Sequence, residues 1–221
     1  MQNLKIVFHL KTPVALSYPW IFFDSLLAHV KLKEELGEKY YSLPSKTPVR
    51  EIPEIKLGNG EIPLKKWRDL YVASVSVFEP SDVKAYVFSY FKRGDFPFPK
   101  GKIRRGSGFF KDFYLKVIYV PAHRVVFYAT GELEEVRRLV SRVHALGKEH
   151  NIGFGFVKRV EVVEVEEEWG LVRDGAAMRP IPVEYLSYYE DSAYMAYKPP
   201  YWSSKNIRLC AVPFTRVVLS E

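Results

Sequence analysis

An amphipathic helix that leads through a glycine-rich turn into a strand is the feature that most constrains the fold. Apolar side chains recur at spacings of three and four along residues 132–148, so one face of this helix is expected to be buried. Gly147, Gly153 and Gly155 lie in the following turn, and residues 156–165 have the composition of a strand. Because glycine accepts positive φ values and lets a backbone approach another group closely, this turn is the first candidate for a binding site.

The rest of the chain supplies the other elements of an α+β fold. Residues 113–120 and 124–130 predict a hairpin across the proline between them. Without the proline-rich stretch at 41–66 and a basic segment described below, the order is β-α-β-β-α-β, the ferredoxin-like arrangement also used by RNA-recognition domains. The remaining elements are a helix at residues 21–38 and strands at residues 4–11, 70–78 and 206–219.

The expected architecture therefore has two parts. Residues 1–168 are predicted to form a ferredoxin-like, RRM-like domain with a basic hairpin inserted around residues 90–112. Residues 169–221 are predicted to form a C-terminal extension with an aromatic-rich loop and a final strand. Because this fold hosts many functions, the function must be inferred from particular residues.

The composition favours a polyanionic partner. The chain of 221 residues has a net charge of +7 at pH 7. Its one cysteine, Cys210, excludes an internal disulfide and indicates a reducing compartment. Without a secretory signal or an apolar run of about 18 residues, the protein is expected to be cytoplasmic and to make no membrane contact. One glutamine and four asparagines, against 33 basic and 26 acidic residues, are typical of a thermophile.

The glycine-rich turn combines backbone freedom with cations and aromatic rings, which favours RNA. Its glycines and Lys148 are expected to present backbone N–H groups and an ammonium group to phosphates, and Phe154 is a candidate for stacking on a base. Lys158 and Arg159 are adjacent on the predicted strand, so they should face opposite sides and only one should line the turn's surface. A helix C-cap followed by an ordinary turn is the alternative interpretation.

A standard RNA-recognition motif is nevertheless excluded. Residues 153–157 match the middle of the RNP1 signature of those domains. However, Ile152 stands where the signature has a basic residue. The match also follows the second helix, whereas RNP1 lies on the third strand.

Residues 92–111 form a second candidate RNA-binding element, because their charge is almost entirely positive. Solvated loops usually mix charge signs and avoid phenylalanine, whereas this segment has one acid, Asp95, and four interleaved phenylalanines. Its four glycines disfavour a stable helix, so we expect a basic hairpin that orders on RNA and binds with a steep salt dependence. The basic residues are Lys92, Arg93, Lys100, Lys102, Arg104, Arg105 and Lys111.

Several segments resemble the RAMP superfamily of CRISPR-associated proteins. Residues 8–30 look like the family's first strand and a helix with its LD-LL stretch, with Phe23-Asp24 and Leu26-Leu27 in those places. Residues 60–74 resemble the following region, and residues 147–157 and 178–182 (MRPIP) resemble the closing one. Over roughly residues 4–186 the chain is most similar to the Cas-five group of type IV systems. Glu149 departs from the family pattern, which usually has a second basic residue there.

The resemblance implies a non-catalytic subunit that binds the 5′ handle of CRISPR RNA and caps a helical backbone of larger RAMP subunits. The expected partners are CRISPR RNA, the larger RAMP backbone subunit and other effector subunits. No cofactor and no metal are expected, since the five histidines and the cysteine show no metal-binding spacing.

Two other functions remain open. Related RAMP subunits sometimes cleave CRISPR RNA without metal, with side chains as acid and base and the ribose 2′-hydroxyl as the nucleophile. His150 is the best, though weak, candidate for such catalysis because it shares the turn with Lys148. A scaffold that contacts only protein is the third possibility, and the tyrosines and tryptophan of residues 185–202 suit subunit contact or core cover.

Overall fold

A computed structural model describes residues 1–42, 62–82, 84–92 and 113–220. Strands predominate there, and two α-helices occur, which confirms the expected α+β class: α1 (Phe23–Leu36) and α2 (Leu133–Val140). Short 3₁₀ helices are Gly37–Ser42, His150–Ile152, Val183–Tyr185 and Ser204–Asn206. The strands are β1 (Gln2–Leu10), β2 (Val14–Leu16), β3 (Lys66–Trp67), β4 (Leu70–Tyr71), β5 (Val77–Glu79), β6 (Tyr86–Lys92), β7 (Phe113–Val120), β8 (Arg124–Gly131), β9 (Val157–Glu164), β10 (Val172–Arg173), β11 (Ala176–Ala177), β12 (Ile181–Pro182), β13 (Leu186–Tyr189), β14 (Ser192–Ala196), β15 (Ile207–Ala211) and β16 (Val217–Leu219).

The central sheet has four antiparallel strands in the order β5-β8-β1-β9. The chain passes through α1 between β1 and β5, and through α2 between β8 and β9. Both helices contribute to one apolar core, to which β1 adds Leu4, Ile6 and Phe8 at the two-residue spacing of one strand face. In the described ranges, no helix is both long and apolar enough to cross a membrane.

The helix before the glycine-rich turn is shorter than its apolar pattern predicts. The pattern covers residues 132–148, but α2 ends at Val140. Ser141 still donates its N–H four residues back, but Arg142 and Val143 donate theirs three residues back, to Leu139 and Val140, which tightens the chain and ends the helix. Leu146 then donates its N–H to the carbonyl oxygen of Gly155 at 2.9 Å, so the chain pairs with the turn instead of continuing as a helix.

The predicted hairpin of residues 113–120 with residues 124–130 is wrong, because the two strands belong to different sheets. β7 pairs with β2 and β6, whereas β8 pairs with β1 and β5. β8 is buried along nearly its whole length, as suits a central strand, while β7 has several exposed side chains. Between them, His123 donates its N–H to Glu79 and accepts one from Leu10, which fixes the connection to the central sheet.

The C-terminal extension packs against part of the face of the central sheet that lies opposite the helices. Trp169 and Met178 pack there against Val7, Val126 and Tyr128. RNA-recognition domains stack bases on the corresponding sheet surface. The part of that surface formed by Val7, Val126 and Tyr128 is covered here by protein side chains.

The predicted final strand over residues 206–219 is two strands in different sheets. β15 pairs with β12 and β14, and β16 pairs with β13. Pro213 and Phe214 interrupt the pairing between them, since proline lacks a backbone donor and Phe214 has a φ of 71°.

Candidate nucleic-acid interface

The glycine-rich turn is packed against the strand that follows β1. Gly147 has a φ of 79°, and a side chain there would clash with the carbonyl oxygen of Ala15 in β2. Gly155 has a φ of 75°, and a side chain there would clash with the carbonyl oxygen of Leu146. Both glycines are thus required for close contacts within the protein's own backbone. By contrast, a side chain at Gly153 would meet no atom within 4 Å.

The expectation that this turn presents its backbone N–H groups to phosphates is wrong for three residues. Lys148 donates its N–H to Ala15 at 2.9 Å, Gly153 donates to His150 at 3.1 Å and Gly155 donates to Pro13 at 2.7 Å. These donors are already used within the protein. The Lys148 ammonium group remains available for an anion, because this side chain has no polar partner among the described residues.

Phe154 anchors a projecting pair of strands to the turn. We call this pair, β6 with β7, the ribbon. Tyr86 lies opposite Tyr119 at one end of the ribbon, and Lys92 lies opposite Phe113 at the other end. The Phe154 ring lies 5.5 Å from the ring of Tyr119 and 6.3 Å from that of Phe88, between ring centroids. Phe154 is therefore half-buried in a packing contact, which disfavours its expected role in stacking on a base.

The ribbon exposes apolar side chains on both faces. Val87 and Ile118 are opposite each other and are 62% and 51% exposed. Tyr86 and Phe88 lie on the opposite face of the ribbon and are also exposed. The basic segment connects the paired strand ends, and its residues Arg93, Lys100, Lys102, Arg104, Arg105 and Lys111 lie outside the described residues.

A β-bulge alters the expected geometry of Lys158 and Arg159. His9 pairs with Arg159 while Leu10 pairs with Val157, so Lys158 is an extra residue in β9. Strict alternation of side chains, which predicted opposite faces, does not hold at a bulge. Burial lowers the pKa of His9, and the positive charges of both Arg159 and Lys158 lower it further.

Arg159 and Lys158 differ in what they contact. Arg159 forms an ion pair with Glu161, whereas the Lys158 side chain has no acidic partner among the described residues. The ammonium group of Lys158 is thus the free cation of the two.

Unpaired lysines lie at the turn, whereas several cations elsewhere form ion pairs with carboxylates. Lys65 pairs with Glu168 at 2.6 Å, and the α2 arginines pair with glutamates. Around the turn, no side-chain partner is found in the described part of the chain for Lys11, Lys148 and Lys158. Lys11 is not evident from the sequence as part of this site, because only its backbone pairing with Phe156 brings it to the turn.

His150 has little of the surroundings that acid–base catalysis requires. Its Nε2 lies 3.3 Å from the carbonyl oxygen of Leu146, and no carboxylate contacts it within the described ranges. No group of three or more potential metal ligands comes together there either.

Comparison with known proteins identifies the family of the chain. A chain in the cryo-EM structure of the type III-B Cmr-beta bound to cognate target RNA matches with a TM-score of 0.37 and 11% identity. The match covers 74% of the present chain, which spans about three fifths, 61%, of that chain. No curated protein matches. Residues 92–213 match the family described as CRISPR type IV associated protein Csf3. Because this region is more than half of the chain, the protein belongs to the Csf3 family of CRISPR type IV associated proteins.

Proposed function

We propose that the protein is a non-catalytic RNA-binding subunit of a type IV CRISPR effector complex in the cytoplasm. In this role it binds the 5′ handle of CRISPR RNA and caps a backbone of larger RAMP subunits. The observation that carries the proposal is the ribbon, which is apolar on both faces and connects to the basic segment. The central sheet supports a ferredoxin-like RAMP fold, since its strand order and helix positions fit a β-α-β-β-α-β unit.

The distribution of charge supports RNA as the ligand of the basic segment. Residues 92–111 contain seven basic residues and one acid, which is six of the seven net positive charges of the whole chain. A polyanion is therefore attracted mainly to the basic segment.

The lysines of the turn supply a second set of contacts at the base of the ribbon. Lys148 lies beside Ala15, and Ala15 pairs with Tyr119 of the ribbon. Lys158 lies in β9, and Lys11 directly follows β1, the strand that pairs with β9. We propose that RNA runs from the basic segment along the ribbon to these lysines.

The apolar faces of the ribbon support a protein partner. Beyond the three residues of β7 that also pair with β2, the ribbon is only two-stranded, and a two-stranded pair is at most marginally stable in water. Exposed clusters of apolar side chains mark interaction sites. Val87, Ile118 and Tyr114 lie on one face and are each more than half exposed. A larger RAMP subunit that covers this face would remove that apolar area from water.

Replacing Val87 and Ile118 together with glutamine is expected to weaken assembly with the larger RAMP subunit about 10-fold or more, because apolar interface contacts are lost. The free energy of unfolding should change by about 0.5 kcal/mol or less per substitution, since both side chains are exposed. Co-purification and a binding titration measure the assembly, and urea unfolding measures the stability.

The matched control replaces Val218 and Ile207 with glutamine. These side chains are 54% and 43% exposed but belong to the C-terminal extension. The control should assemble as the unaltered protein does. Equal loss in both double variants, or no loss in either, would contradict the assignment of the ribbon to this interface.

A further inference from the structure

We propose that Phe156 is a stacking platform for one unpaired base of the bound RNA, with Lys11 and Lys158 as its flanking phosphate contacts. This inference rests on the proposed RNA-binding function and specifies the ligand of the turn as single-stranded. It also transfers the stacking role from Phe154, whose ring is engaged with the ribbon.

The backbone of Phe156 is held on both sides. Its N–H donates to the Thr12 hydroxyl oxygen at 2.9 Å, and its carbonyl oxygen accepts the Lys11 N–H at 2.7 Å. A side chain at the preceding Gly155 would clash with the carbonyl oxygen of Leu146, so the backbone there is closely packed. The Phe156 ring is therefore presented from a fixed position, and it is 40% exposed.

The ring has a free surface rather than a protein partner. In the described part of the chain, Phe156 makes no ring contact, in contrast to Phe154. A preorganised aromatic face loses little conformational entropy when a flat ligand stacks on it.

Two free cations lie beside this ring. Leu10 pairs with Val157, so Lys11 and Phe156 are the next cross-strand neighbours and share one face. Lys158 is the extra residue of the bulge, two positions after Phe156. Neither lysine has an acidic partner among the described residues.

This combination fits a nucleotide better than a protein surface. An apolar protein partner that covered the ring would also desolvate two unpaired ammonium groups, which costs free energy. A single-stranded nucleotide offers both a π face for the ring and phosphates for the lysines. A base inside a duplex is already stacked on its neighbours and cannot lie on the ring.

The test measures binding of the full-length protein to a single-stranded 5′-handle RNA, and to the same RNA annealed to its complement. We expect Phe156→Ala to weaken binding of the single strand about 10-fold, without changing the dependence on salt, since no charge is removed. Phe156→Trp should retain the affinity, and its added fluorescence should be quenched on binding. Phe156→Leu keeps an apolar side chain without the π face and should bind as weakly as Phe156→Ala.

Phe214→Ala is the control, because Phe214 is 49% exposed and lies in the C-terminal extension. It should bind RNA as the unaltered protein does. If the unaltered protein binds the single strand and all Phe156 variants bind equally well, the stacking inference is overturned while the proposed function stands. Equal affinity for the duplex also overturns it. If the unaltered protein binds neither RNA, the proposed function itself fails.

Discussion

Replacing Asp24 with alanine is expected to lower the free energy of unfolding by about 3–5 kcal/mol, because Arg179 then remains buried without its counter-ion. Both residues are at most 1% exposed. The Arg179 Nη2 atom lies 3.1 Å from the Asp24 Oδ2 atom. Urea unfolding followed by circular dichroism gives the change directly.

The surroundings of this ion pair explain the size of the expected effect. Arg179 also donates to the carbonyl oxygens of Tyr71 and Tyr197 and to the Tyr201 hydroxyl oxygen, at 2.5, 2.9 and 2.7 Å. Burial raises the pKa of the Tyr201 phenol well above its ordinary value, so the hydroxyl stays protonated and donates to Asp24. The Asp24 carboxylate thus balances the charge of Arg179 in a hydrogen-bonded network that connects α1 to the C-terminal extension.

Glu134→Gln is the matched control for Asp24→Ala. Glu134 pairs with Arg137 at 2.7 Å, but the two side chains are 81% and 49% exposed. Solvent screens such a pair, so its loss should cost about 1 kcal/mol or less. A cost for Asp24→Ala as small as that of the control would contradict the buried network.

The second large effect is expected in RNA binding. Removing four cations of the basic segment should weaken RNA binding about 100-fold near physiological salt, because each lost phosphate contact on a single strand removes about 0.7 from the salt slope. The slope itself should fall by about 3. Filter binding or fluorescence anisotropy at several salt concentrations measures both quantities. The variant carries serine in place of Lys100, Lys102, Arg104 and Arg105.

A control variant removes cations from the C-terminal extension, with serine in place of Lys205, Arg208 and Arg216. These residues are exposed and lie outside the proposed RNA path. The salt slope of this variant should change by less than about 1, since no phosphate contact is lost. If both variants lower the affinity equally, RNA responds only to net charge, and the basic segment has no special role.

The fold class was predictable, but the pairing of the strands was not. Apolar periodicity located α1 and β1 to within two residues, because each buries one face. The predicted hairpin over residues 113–130 was wrong for a physical reason. A β-branched and aromatic composition indicates a strand but does not indicate which strand it pairs with. β7 and β8 are adjacent in the chain and look alike, yet burial puts one in the central sheet and leaves the other in the ribbon.

The type IV CRISPR association expected from the sequence resemblance is confirmed by the Csf3 family match. Two of the motifs that carried the resemblance meet in the structure, because Asp24 of the LD-LL stretch pairs with Arg179 of the closing segment. This pair is buried and structural. The RAMP fold, the handle-binding role and the capping role are proposals.

The sequence singled out the glycine-rich turn as a candidate site, which remains a prediction, but part of the backbone geometry expected there differs in the structure. The glycines predicted that the backbone of the turn closely approaches another group. The structure shows that Gly147 approaches Ala15 and Gly155 approaches Leu146, both of the same chain. Sequence spacing also assumed regular alternation at Lys158, where the bulge breaks it. Lys11 was not singled out, because its proximity to the turn depends on pairing between distant strands.

The most direct test of the proposed function compares the affinity of the purified protein for two labelled RNAs, one with the 5′ handle and one with a scrambled handle, over a series of salt concentrations without divalent metal. Handle-binding predicts tighter binding of the intact handle RNA, with an affinity that falls steeply as salt increases. Equal affinity for both RNAs, no binding of either, or cleavage of the handle RNA would contradict it.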